Sequence, residues 1–375
     1  MIPLNQNLAA LKRSQIRTFT NLAKQTPGCV SLTIGEPDFD TPETIKLAAI
    51  AALSKNQTHY APNQGTAALR KKIAEFETNR GNAVSAEQVL VTIGACQALF
   101  TALFGILNPG EEVIVPTPGF GLYESIATIA GAKTVALDIT KTNFQITKES
   151  LSAVITEKTK AIIINSPCNP TGVIFDEESL TAVKEAVLGK PIFVICDNVY
   201  HDLSYIPCPD ISLDNDLKDQ IILCQSFSKP WAMTGWRIGY LTCPEYVMER
   251  LLLLSAATIT AVPTFLQEAA ITALQTDPAP MREEYARRRD YATMRLRNMR
   301  RTFPEPEGAF YIFVNIAQYG MDSACFCTRM IQEGKVAAVP GGCFGADDYI
   351  RLSYCYSMEE LTIGLDRMEA FLATL

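Results

Sequence analysis

The sequence predicts an α/β protein: a mainly parallel sheet flanked by helices, with a smaller α+β unit beside it. Through the middle of the chain, short β-rich runs alternate with helical stretches. Most of those runs are continuously apolar, as in strands covered on both faces, and the alternation favours parallel pairing. Beyond residue 280 the pattern changes to a long charged helix, two strand-like runs and a closing helix.

The elements follow in order. VLVTI (89–93) is a buried strand, and the helical CQALFTALFGIL after it is stopped by Asn108-Pro109-Gly110. EEVIVP, a helix through GLYESIATIAGA, and the strand KTVALD come next. AIIIN (161–165), PIFVIC (191–196) and IILCQ (221–225) supply further buried strands. The longest apolar stretch, LLLLSAATITAVPTFLQEAAI, is interrupted by Pro263, Gln267 and Glu268, which predicts a buried helix and no membrane span. DPAP punctuates the chain near residue 280. MREEYARRRDYATMRLRNMRRTF then predicts a charged helix, GAFYIFVNI and YIRLSY predict strands, and SMEELTIGLDRMEAFLATL an amphipathic helix. Ser357 and Glu360 have capping-box spacing at its start.

Composition sets limits. A length of 375 residues suits one large domain or two linked ones, and 48% hydrophobic residues supply a substantial core. A net charge of −7 disfavours a general nucleic-acid binder, while leaving room for a local anion site built from a few arginines. Eleven scattered cysteines cannot all pair within one chain, and with two histidines, His59 and His201, no zinc site is expected. Asp38/Asp40 and Asp347/Asp348 read as solvated loop carboxylates rather than metal ligands. Reduced, mostly buried thiols in a reducing cytosol fit these counts. MIPLNQNLAALKRSQ lacks the basic start, apolar run and cleavage site of a secretory signal, so a cytoplasmic protein is expected.

Chemistry concentrates in QSFSKPWAMTGWRIGY. Lys229 lies just past an apolar run, at a strand end where ligand crevices open. A desolvated lysine there loses its proton and attacks carbonyls; the plain alternative is a solvated surface lysine. Ser226 and Ser228 flank it as hydroxyl donors, and Arg237 suits a phosphate dianion. Asp197 ends another apolar run, where it serves either a protonated ring nitrogen or, as Asp commonly does, a helix N-cap. Tyr200 is three residues on. Asn169 precedes Pro170, which also fits a simple turn. Gly94, Ala95 and Cys96 join a strand to a helix, a turn that offers backbone N–H groups to a phosphate or merely needs a glycine. Phe120 is either a ring-stacking aromatic or a core phenylalanine. Arg351, amid apolar strand residues, needs an anionic partner: a substrate carboxylate or a structural ion pair.

The Lys229 string closely resembles the cofactor-lysine signature of class I aminotransferases, pyridoxal 5′-phosphate (PLP) enzymes of fold type I. SLTIGEPDFDTPE, HYAPNQGTAALR, TIGACQAL, NSPCNPTG, DNVY and YIRLSY are similar to further motifs of that family, in its order. The resemblance implies that Lys229 carries the cofactor, Asp197 faces its ring nitrogen, and Tyr200 and Asn169 face its phenolic oxygen. It further implies that Phe120 stacks on the ring, that Gly35 and Arg351 bind the substrate carboxylate, and that Tyr60 reaches the phosphate of the other subunit in a homodimer with shared sites. Ile16, Arg17 and Phe19 would lie over the site, with Arg17 equally an exposed helix arginine. A large cofactor-binding domain would span 45–280, and a small domain would combine 1–44 with 281–375. The sequence departs from many relatives at Cys96, Phe120, Asn198, Pro230 and Trp231.

The implied activity is transamination between an L-amino acid, aromatic or N-acetyl-diaminopimelate-like, and a 2-oxo acid such as 2-oxoglutarate. The freed Lys229 amine would move the α-proton. A PLP carbon–sulfur β-lyase would use the same residues. A PLP-sensing regulator is disfavoured, because the fold segment begins by residue 31 and leaves no room for a helix-turn-helix. No GxGxxG follows a strand, against a nicotinamide dehydrogenase.

Overall fold

The computed structural model describes Ile2, residues 5–11 and residues 14–375. Among them the strands are, in chain order, β1 (Val30–Ser31), β2 (Val89–Thr92), β3 (Glu112–Thr117), β4 (Lys133–Asp138), β5 (Thr159–Asn165), β6 (Phe193–Asp197), β7 (Ile221–Ser226), β8 (Gly239–Thr242), β9 (Tyr311–Asn315), β10 (Val336–Ala337), β11 (Val339–Pro340) and β12 (Tyr349–Ser353). Seven form the central sheet in the order β2-β8-β7-β6-β5-β3-β4. β3 to β7 pair in parallel, and β8 runs antiparallel to both β2 and β7. The sheet is thus mainly parallel, as predicted, with one reversed strand that the sequence pattern did not reveal.

Its continuously apolar strands are covered on both faces. Ile162, Ile164, Val194 and Leu223 pack with Leu180 and Val183 on one side. The alternate residues Ala161, Ile163, Ile195 and Ile222 pack with Leu99, Leu103 and Ile126 on the other. Burying each large aliphatic side chain contributes about 1.5–3 kcal/mol. A register shift would move these side chains to the opposite face, so apolar cover alone constrains it weakly; the polar residues at the strand ends make it matter.

A second sheet, β11-β12-β9, is antiparallel, and β1 pairs with β10. Helix Ser323–Gln332 and helix Met358–Leu372 accompany it, the latter opened by the expected Ser357/Glu360 capping box. The charged helix runs Ala279–Asn298 and stops short of the predicted end at Phe303. Arg300 takes a φ of +57°, and Pro304 restricts the residue before it.

The long apolar stretch is not one buried helix. It is shared between helices Glu245–Ile259 and Thr264–Ala273, separated where Thr260 takes a φ of +63° and Pro263 caps the second. Proline has no N–H for a continuing helix. Leu253 is 62% exposed, so part of the stretch is surface. Among the described residues no helix is long and apolar enough to cross a membrane. All eleven cysteines are free thiols; six are buried, while Cys96 and Cys325 are exposed.

Candidate active site

Register in the parallel sheet sets the site. Asn165 at the end of β5 lies opposite Asp197 at the end of β6, with Ser226 ending β7 beyond. Asn165 Nδ2 donates to the Asp197 carbonyl at 2.8 Å, and its Oδ1 accepts the Asn169 N–H at 2.9 Å. The strand end thereby fixes the Asn169 turn.

Asp197 is 3% exposed and does not cap a helix; the next short helical turn, His201–Leu203, is preceded by Tyr200. Its Oδ2 accepts from Tyr123 at 2.6 Å, whereas its Oδ1 is buried without a hydrogen-bond partner. Burial lifts the carboxyl to about 6, against the pull of the Tyr123 hydrogen bond and of the nearby Val199 N–H. A buried polar atom left unpaired is costly, so this oxygen is shaped for a donor from outside the chain. Half-buried Phe120 packs edge-on against Tyr123 at 6.0 Å.

Lys229 Nζ donates to the Gly35 carbonyl at 2.7 Å and lies 5.7 Å from the Phe310 ring centre. Desolvation draws its ammonium down to about 8. An amine with that value supplies far more free base near neutral pH than a surface lysine. Gly35 is required by close packing: a Cβ there would fall 1.8 Å from the Tyr311 hydroxyl.

Arg351 is 2% exposed, and among the described residues no carboxylate pairs with it. Nη1 donates to Asn169 Oδ1 at 2.8 Å and Nη2 to the Thr33 carbonyl at 2.6 Å, while buried Nε lacks a partner. The guanidinium carbon sits 4.3 Å from the Tyr311 ring centre. A desolvated cation held only by neutral groups retains strong attraction for an anion. The structural ion-pair alternative is therefore set aside. Tyr200 and Tyr311 share a hydrogen bond between their hydroxyls at 2.8 Å.

On another side, helix Gly94–Ile106 begins directly after β2, with Gly94, Ala95 and Cys96 in its first turn. Gly94 has a φ of +67°, and a Cβ there would approach Arg237 Nη2 to 3.0 Å. Arg237 Nη1 donates to the Thr234 carbonyl at 2.9 Å. The Ser228 N–H donates to Ser226 Oγ at 3.1 Å. Free helix N–H groups, a guanidinium and hydroxyls make an anion cradle.

The remaining predicted residues stand apart. Ile16 is half-buried against the apolar cluster of Phe144 and Tyr349, Arg17 is exposed, and Phe19 is a core residue. Tyr60 is 92% exposed. Among the described residues no hydrogen bond joins Tyr60, Ile16 or the Cys96 thiol to the Lys229 cluster. Tyr123, Tyr311, Asn165 and the Thr33 carbonyl take part in the site without having been singled out in the sequence.

Residues 27–368 match the family described as aminotransferase class I and II. The chain belongs to that family. The aminotransferase is 38% identical to a probable N-acetyl-LL-diaminopimelate aminotransferase of Bacillus subtilis, covering 98% of this chain and 95% of the relative. It is also 38% identical to aromatic-amino-acid aminotransferase 2 of Thermococcus litoralis, over 98% of each chain. The solved structure of an aspartate aminotransferase from Thermotoga maritima superposes with a TM-score of 0.95 at 36% identity, covering 99% of this chain and all of that one. The aminotransferase moves an amino group between an amino acid and an oxo acid, depends on PLP and has the type I fold.

Proposed function

We propose that the crevice around Lys229 is where this aminotransferase binds PLP and performs transfer. The observation that carries the reading is the unpartnered Oδ1 of Asp197, a buried acceptor matched to the ring N–H of a pyridinium. The other groups fit the cofactor as well: a desolvated amine for its aldehyde, Tyr200 and Asn169 for its phenolic oxygen, Phe120 for its face. The Gly94–Ala95–Cys96 backbone, Ser226, Ser228 and Arg237 would take the phosphate. When bound, PLP supplies an electron sink for the pair left at the substrate α-carbon.

The chain's own groups do the rest. Arg351 and Gly35 hold the substrate α-carboxylate, with Asn169 fixing the guanidinium plane. Lys229 would take the substrate α-proton as its free amine and hold it for return, one base serving both moves. Asp197 keeps the ring nitrogen's proton in place and is held in turn by Tyr123. Two half-reactions on one cofactor give ping-pong kinetics.

For the donor, we favour an aromatic or N-acetyl-diaminopimelate-like amino acid, with 2-oxoglutarate as acceptor. The names of two relatives support this. Exposed Tyr60 suits a phosphate contact in a second copy, giving a homodimer with shared sites in the cytoplasm. The same reading retains the division into 45–280 and 1–44 plus 281–375. Phe19 and Leu32 packing with Leu296, Phe326 and Leu365 supports it.

A donor screen against 2-oxoglutarate, reading glutamate, tests the function. Aromatic or diaminopimelate-type donors are expected to give the highest rates. Pyruvate and ammonia from cystathionine, without glutamate, would mean a lyase instead. Lys229→Ala should lose both turnover and the visible absorption of the bound cofactor; retention of both sinks the site assignment.

A further inference from the structure

Tyr311 has no assigned part so far, yet it touches Gly35, Arg351 and Tyr200. Its hydroxyl fills the space left by the missing Cβ of Gly35, whose carbonyl holds Lys229. Its ring lies under Arg351, 4.3 Å from the guanidinium carbon. Its hydroxyl is 2.8 Å from that of Tyr200, and among the described residues each of these hydroxyls has only the other as hydrogen-bond partner. One phenol must donate and the other accept.

We propose that Tyr311 is a positioning residue for the transfer reaction: it donates to the Tyr200 oxygen, so that Tyr200's own proton points into the crevice, and its ring supports Arg351. Two considerations set the direction. Burial raises both phenols, and the Arg351 guanidinium offsets part of that effect at each. Each phenol has one hydrogen, so a Tyr200 that keeps its own for the cofactor oxygen must accept from Tyr311, whose hydroxyl has no other acceptor among the described residues. A Tyr200 that accepts from Tyr311 also becomes a stronger donor itself, because hydrogen bonds in a chain polarise one another. The two tyrosines therefore act as a relay of orientation, with Arg351 at one end. Substrate carboxylate and cofactor oxygen are then coupled through one side chain.

The inference rests on the reading that Tyr200 faces the cofactor's phenolic oxygen, and the test separates the two. The pH midpoint of the visible absorption band is measured on holoenzyme of the wild type, Tyr200→Phe, Tyr311→Phe and the double variant. Loss of donation to an anionic oxygen makes the conjugated system more basic, so Tyr200→Phe should raise the midpoint. Tyr311→Phe should raise it by a smaller amount, about 0.5 pH unit. The double variant should match Tyr200→Phe alone, since Tyr311 acts through Tyr200. Tyr311→Phe keeps the ring and should leave the KM for 2-oxoglutarate within about twofold, whereas Tyr311→Leu should raise it roughly five- to tenfold. An unshifted Tyr200→Phe overturns the parent reading of the site. A shifted Tyr200→Phe with an unshifted Tyr311→Phe, or an additive double variant, overturns the positioning role alone.

Discussion

Asp197 illustrates what single residues contribute and cost. Its native-state value of about 6 lies above the ordinary 3.8, because burial disfavours the carboxylate. A raised value means the native state holds the proton more tightly. The stability this confers is fully present below pH 3.8 and is lost as pH rises through 6, a change of roughly 2–3 kcal/mol. Asp197→Asn has no proton to lose. Cofactor-free Asp197→Asn should therefore gain on the wild type between pH 4 and 6 in urea unfolding and keep that advantage above it. A difference independent of pH would refute the cause given. The same variant should lose activity by about two orders of magnitude or more, since a neutral amide no longer stabilises charge on the ring nitrogen. Gly35→Ala offers a second check: its methyl collides with Tyr311 and displaces the carbonyl that holds Lys229. Loss of kcat with cofactor still bound is the expected result. Lys229, Asp197 and Arg351 were legible in the sequence because each is a charged residue at the end of, or within, an apolar run. The Thr33 carbonyl was not, since a backbone acceptor has no residue type to announce it.

At the level of elements, apolar runs located six of the seven strands of the central sheet to within two residues. β8 escaped because four residues, GYLT, carry little pattern and its antiparallel direction depends on long-range pairing. Pairing also explains how Tyr311 could have been found. β12 and β9 align Arg351 with Phe313 and Ser353 with Tyr311, so all four side chains share a face. Two predicted strands, one bearing a buried arginine, make the aromatic residues two apart on the other candidates for its support. The strand also makes Arg351 demanding as a position. Arg351→Lys keeps the charge but loses the planar fork held by Asn169 and Thr33. The KM for both substrates should rise about tenfold or more, with a smaller change in kcat. An unchanged KM would remove Arg351 from carboxylate binding.

For the whole molecule, the proposed shared site makes a prediction about mixtures. Lys229→Ala protomers keep Tyr60, and Tyr60→Ala protomers keep Lys229. Mixed after dissociation in equal amounts, they should regain up to about a quarter of wild-type activity, because half the dimers are mixed and each has one intact site. No recovery in verified mixed dimers would show that Tyr60 serves its own chain. The proposed homodimer rests on resemblance, because Tyr60 by itself is an ordinary exposed tyrosine. The unpaired acceptor on Asp197 bears on stability as well as on catalysis. In the proposed site the buried Asp197 carboxylate gains its missing partner only when PLP binds, so the supply of that ligand would set how often the chain unfolds. Ligand at a hundred times its Kd adds about 2.7 kcal/mol of stability, enough to alter how often a protease meets the unfolded form. Cells starved of vitamin B6 should therefore hold less of this protein at constant synthesis, and the Asp197→Asn chain should escape much of that decline.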